Sequence, residues 1–250
     1  MRRADPGPAD SAGVPWAGRE LKPSPFSGDA GHADPELARV LAEWRAGQVP
    51  LSKFVSALAG KRVVVPVMAE VENLVMNEAT NLVADKDASS AIVCVSAPDG
   101  RIALPIFTSA AALTRWNKQA RPIPVEVERA ALGAVSEQWP LLVVDPGDDR
   151  PAIIPRPAVW ALAQGKADSW TPAPQDAELT ENMRAQIMRL PAVQDVQIEP
   201  GRRAETAVVL RITPGLSRED LSGVLSQVET LLAQNEMVAE RVDGLELRVV

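Results

Sequence analysis

One histidine, His32, and one cysteine, Cys94, are all that this 250-residue chain offers of the side chains that most often move protons or hold metals near neutral pH. A serine or cysteine nucleophile needs a base held within hydrogen-bond reach. His32 falls in a stretch rich in Pro, Gly and Ala with no hydrophobic period, which gives no reason to expect it fixed beside a nucleophile. The usual zinc sets need four Cys or His ligands, and two such residues do not supply them. No Gly-x-Gly-x-x-Gly follows a strand and no Gly-x-x-x-x-Gly-Lys-Ser/Thr is present, so neither nucleotide fingerprint applies. No catalytic, metal or cofactor-binding residue is therefore assigned, and no cofactor is expected.

The remaining candidates each have a plainer alternative. Cys94 sits in the apolar run Ile92-Val93-Cys94-Val95 without a basic neighbour, which favours a buried small hydrophobe over a reactive thiol. Asp85-Lys86-Asp87 and the trio Asp145, Asp148, Asp149 are acidic, but neither has the ligand alternation of a calcium loop, and solvated turns account for them. An enzyme using carboxylates alone, such as Asp87 with Asp145, needs both in one cleft with pKa values pushed apart; it is the weakest reading. Thr108-Ser109, followed by Ala110-Ala111, combines a helix start with small side chains, where free N–H groups suit phosphate or carboxylate. Ser89 and Ser90, in a loop expected nearby, complete that candidate anion site. The alternative is that Thr108 or Ser109 caps the helix.

Six tryptophans and no tyrosine are unusual. Trp44, Trp116 and Trp160 lie on or beside apolar helical stripes and are expected in the core. Trp139 and Trp170 fall at element boundaries and are the candidates for exposed interface anchors.

Apolar residues make up 46% of the chain and charged residues 24%, a globular balance. The net charge of −7 repels phosphate backbones and argues against nucleic acid as a partner. Residues 166–250 hold 9 Lys/Arg against 14 Asp/Glu, so this part is the better candidate for meeting a basic surface. A single cysteine allows no internal disulfide. Met1-Arg2-Arg3 is not followed by an apolar stretch, and no run approaches the roughly 18 apolar residues of a membrane span. These features place the protein in the cytoplasm, away from the membrane.

The elements that must position these residues can be read from punctuation and period. Residues 1–33 read as a flexible tail, and Val71–Val83 is ambiguous. Asp34-Pro35-Glu36 starts a helix carrying Leu37, Val40, Leu41 and Trp44; Leu51–Leu58 is a second. Arg62–Met68 is a β-branched strand expected to be buried on both faces. Ile92–Val95 and Arg101–Ile106 form a hairpin around Pro98-Asp99-Gly100, and Leu141–Val144 pairs with Ala152–Ile154 around a second turn. A helix starts at Thr108 or Ser109, another at Pro124, and a third follows Pro155–Pro157. Gly165–Pro174 reads as a linker between a domain at 34–165 and one at 175–250. The latter reads α-β-β-α-β, with its strands taken as antiparallel and its final edge, Leu245–Val250, open to pairing in a homo-oligomer. The fold class is α+β in two small domains.

Several of these stretches resemble the SseB family. They are Pro25-Phe26-Ser27-Gly28 with Asp34-Pro35, Val64–Val67, Asp87-Ala88-Ser89-Ser90, Leu104–Ser109 leading to Leu113 and Trp116, and Pro155-Arg156-Pro157 ahead of Trp160-Ala161-Leu162. The resemblance covers about residues 25–165, the family's N-terminal domain. The remainder is similar in size and element order to the C-terminal domain of some members. The family's motifs are structural, so the resemblance implies a domain and carries over no active-site residue. The leading expectation is a bacterial protein-interaction or regulatory module without enzymatic activity. An anionic-metabolite binder is the alternative.

Overall fold

The computed structural model describes residues 25–68, 82–83 and 91–250. Residues 25–30 form a unit of their own, a turn closed by the Asp29 N–H donating to the Phe26 carbonyl at 3.0 Å.

Helix α1 (Pro35–Arg45) begins where Asp34 accepts from the Leu37 N–H, with Pro35 in the first turn. Its stripe of Leu37, Val40 and Leu41 is buried together with Phe54, Val55 and Leu58 of α2 (Leu51–Leu58). Strand β1 (Arg62–Met68) follows. Short strands β2 (Leu82–Val83), β3 (Ala91–Ile92) and β4 (Cys94–Ser96) lead into β5 (Ile102–Ile106) and α3 (Ala110–Trp116). Arg121–Glu126, expected to open a helix at Pro124, is strand β6, and α4 (Val127–Ser136) starts only after it. Pro122 and Pro124 do not forbid a strand here, because β6 lies at the edge of its sheet, where an unpaired N–H is not needed. Strands β7 (Leu141–Val144) and β8 (Ala152–Ile154) and helix α5 (Arg156–Ala163) complete this part.

Two sheets result. The order β3-β1-β6 is antiparallel throughout. The order β2-β4-β5-β7-β8 contains both expected hairpins, β4–β5 and β7–β8, but β5 and β7 run parallel. The crossover through α3, β6 and α4 is what makes a parallel pairing reachable. An isolated bridge, Val64 to Phe107, ties the two sheets together through reciprocal 2.8 Å hydrogen bonds. Five helices, α1 to α5, pack on this framework, and the largest apolar cluster runs from Leu37 to Ala167.

Beyond two 3-10 turns, Ala167–Ser169 and Ala173–Gln175, the chain forms α6 (Ala177–Ile187), β9 (Val193–Pro200), β10 (Thr206–Ile212), α7 (Arg218–Ala233), α8 (Glu236–Arg241) and β11 (Leu245–Val249). Strands β9 and β10 are antiparallel, as expected. Strand β11 lies parallel to β10, which corrects the all-antiparallel expectation. The two helices between β10 and β11 return the chain to the end of the sheet where β10 began. A separate apolar cluster, Ala173 to Val242, fills this lobe. The fold is α+β. Among the described residues, no helix is long and apolar enough to cross a membrane.

Candidate functional site

Thr108 and Ser109 stand just past the end of β5. Ser109 caps α3 by accepting from the Ala112 N–H at 3.1 Å, and Ala110 donates to the Gly31 carbonyl at 2.9 Å. Both donors of buried Thr108 go to one carboxylate: its N–H to Oδ1 of Asp145 and its hydroxyl to Oδ2, each at 2.9 Å. The groups an anion would use are thus occupied by a side chain from the end of β7. Burial raises the pKa of Asp145, and the two Thr108 donors pull it back only in part. Around it, Arg45 pairs with Asp148 at 2.8 Å, Arg115 reaches the same Asp148 at 3.3 Å, and Arg150 lies over the Trp44 ring. Ser89, Ser90 and Asp87 lie outside the described residues, as does the ambiguous segment around Val71.

The tryptophans are distributed differently from expectation. Trp160 is 46% exposed rather than in the core. Ala158, Val159 and Leu162 are the buried stripe of α5, and Trp160 projects about 150° away from the centre of that stripe. That offset was the signal available in the sequence. Trp139 and Trp170 are half-buried and pack on the first lobe's apolar cluster. Trp44 stacks on Phe54, and Trp116 tilts against Phe107. Cys94 is buried, as expected.

The two lobes meet at a seam that no motif announced. There, Arg101 from the β4–β5 turn forms a fork on Asp243, Nη1 to Oδ1 and Nη2 to Oδ2, both at 2.8 Å. The Arg156 N–H donates to Asp243 Oδ1 at 3.1 Å, and its guanidinium reaches the carbonyls of Ala239 and Val242 at 2.6 and 2.7 Å. Asp243 donates its own N–H to Glu205 at 2.8 Å. Burial raises the pKa of Glu205.

On one side of Arg156 opens a cleft of about 890 Å³. Trp160 and Trp170 line it with Pro157, and Lys166, Glu240 and Arg241 supply charge. Arg241 is satisfied within the chain by Asp176 at 3.1 Å and Glu178 at 2.9 Å. Lys166 and Glu240 are exposed and make no ion pair among the described residues. The cleft thus combines an exposed indole, one uncommitted cation and one uncommitted anion. On the other side of Arg156 is a groove of about 660 Å³, lined largely by apolar residues such as Leu225, Leu232 and Val242. Among the described residues, no group of three or more His, Cys, Asp or Glu could hold a metal ion.

Comparison with known proteins bears on the first lobe. The family model described as the SseB protein N-terminal domain matches residues 37–161. Neither the curated proteins nor the solved structures give a match.

Proposed function

The chain belongs to the SseB family, and from that premise and the geometry of the cleft we propose that it is a cytoplasmic, non-enzymatic protein-interaction module of a bacterial cell, with the cleft beside Arg156 as its recognition surface. The observation that carries this reading is Trp160, 46% exposed and lining a cleft between the lobes. A large apolar side chain held off its own core, on a rigid helix, has the character of an interface anchor. Lys166 and Glu240 then select a partner segment by charge, because neither is neutralised among the described residues. A segment placing an apolar side chain on the indole, an acidic group near Lys166 and a basic group near Glu240 fits these features.

Panning a displayed peptide library against the wild-type protein and against Trp160→Ala tests it. Peptides enriched on the wild type and lost on the variant are the expected result. Enrichment that survives Trp160→Ala, or the absence of any enrichment, overturns the assignment. An anionic small-molecule binder is the second reading, favoured by the uncommitted Lys166 in a cleft of small-molecule size. A thermal-shift screen of anionic metabolites separates the two readings, since a ligand that binds the fold raises its apparent stability.

A further inference from the structure

The apolar clusters of the two lobes share no residue. The first ends at Ala167, with Trp170 packed on it, and the second begins at Ala173. Between them the backbone is extended, with Trp170 at ψ 132° and Pro172 at φ −55°, ψ 139°. What crosses the seam is polar and concentrated: Arg101 and Arg156 converge on residues 239–243. The carbonyls of Ala239 and Val242 lie at the end of α8, where helical carbonyls run out of internal N–H partners and a cation is favoured. The Asp243 side chain is 7% exposed and receives the Arg101 fork and the Arg156 N–H together.

We propose that Asp243 is the catch of an ionic latch which, gripped by Arg101 and Arg156, fixes the angle between the two lobes, and that its release lets them swing about residues 170–173 and widens the cleft beside Trp160. Apolar interfaces cannot be undone without exposing their area to water, whereas a forked ion pair exchanges partners with solvent or with an incoming charged group. The charged groups facing Asp243 are Arg101 and Asp99 from the β4–β5 turn, Arg156 from α5 and Glu205 from the loop before β10. Glu205 holds the Asp243 backbone, while its charge opposes that of the catch. Hinge closure around a recognition cleft uses this division of labour, with two rigid bodies and a few polar contacts between them. The assignment does not depend on what the cleft binds.

The test is a distance measurement on the full chain. Spin labels go on cysteines placed at exposed Leu132 of α4 and exposed Ser222 of α7, in a Cys94→Ala background. Pulsed electron paramagnetic resonance on the otherwise wild-type chain should give one narrow distribution. Arg101→Gln and Asp243→Asn should each broaden it about twofold or move its mean, and the double variant should do no more than either alone. Arg101 is partly exposed on a turn, so Arg101→Gln decides the matter if Asp243→Asn does not fold. Unchanged mean and width in Arg101→Gln would overturn the latch.

Discussion

Thr108 and Asp145 close the ends of two neighbouring parallel strands on each other. One carboxylate accepts hydrogen bonds from both the backbone N–H and the hydroxyl of the threonine, each at 2.9 Å. Asp145 holds this position at φ +50°, a left-handed conformation that Asn and Asp tolerate better than other residues with a Cβ. Asp145→Asn keeps a hydrogen-bonding partner for each Thr108 group and the backbone preference, and should cost within about 1 kcal/mol. Asp145→Ala loses both bonds and the preference, and should cost about 2–4 kcal/mol. Urea denaturation measures the difference; equal effects of the two substitutions would show that the Thr108–Asp145 hydrogen bonds contribute nothing.

Burial raises the pKa of both Asp145 and Glu205, so the folded chain binds protons more readily than the unfolded one at these two sites. The stability each contributes is fully present below the unfolded carboxylate range. It is lost as pH rises through the raised folded value. Glu205→Gln removes one titration and should flatten the fall in stability as pH rises above the ordinary carboxylate range, relative to wild type. Denaturation midpoints across that rise in pH check the slope, and parallel curves for the two proteins would contradict the prediction.

Trp160 and Phe54 separate anchoring from packing. Phe54 is fully buried in the first lobe's cluster, so Phe54→Ala should cost about 3–5 kcal/mol. Trp160→Ala, at a residue nearly half exposed, should cost less than about 1 kcal/mol while abolishing peptide capture in the cleft. Thermal melts of both variants set beside binding measurements decide it; a large stability loss in Trp160→Ala would mark the indole as a packing residue.

Gly201 closes the β9–β10 connection where the Arg202 and Arg203 N–H groups both donate to Glu246 at 2.9 Å. These donors hold the Glu246 carboxyl below its ordinary pKa. A Cβ at Gly201 would lie 2.3 Å from the Ala204 carbonyl oxygen, which is backbone and must move. Gly201→Ala should therefore destabilise by about 1–3 kcal/mol. Amide hydrogen exchange should show faster exchange at Arg202 and Arg203, and unaltered protection there would contradict the geometry.

Much of the scaffold was legible because its signals are local. The Asp34 and Ser109 caps, the stripe Leu37-Val40-Leu41 and the turn Pro98-Asp99-Gly100 each act over four to eight residues. Strand β6 was hidden because its prolines argue against a strand anywhere except an edge, and edges are not visible in one dimension. The candidate cleft is legible only in pieces: the sequence marks Trp170 as a boundary residue, whereas the apolar neighbours of Trp160 suggest the core and its angle around α5 points it away from them.

The sequence by itself determined the α+β class, most helices, both hairpins and the scarcity of histidine and cysteine, since propensity, capping and periodicity operate within a turn or two of chain. The parallel pairings of β5 with β7 and of β10 with β11, the meeting of Thr108 with Asp145, and the Arg101–Asp243 fork across 142 residues were decided by tertiary structure alone. A carboxylate and a guanidinium find each other at long range only after the apolar clusters have fixed the backbones that carry them, and no local feature of either residue encodes that encounter.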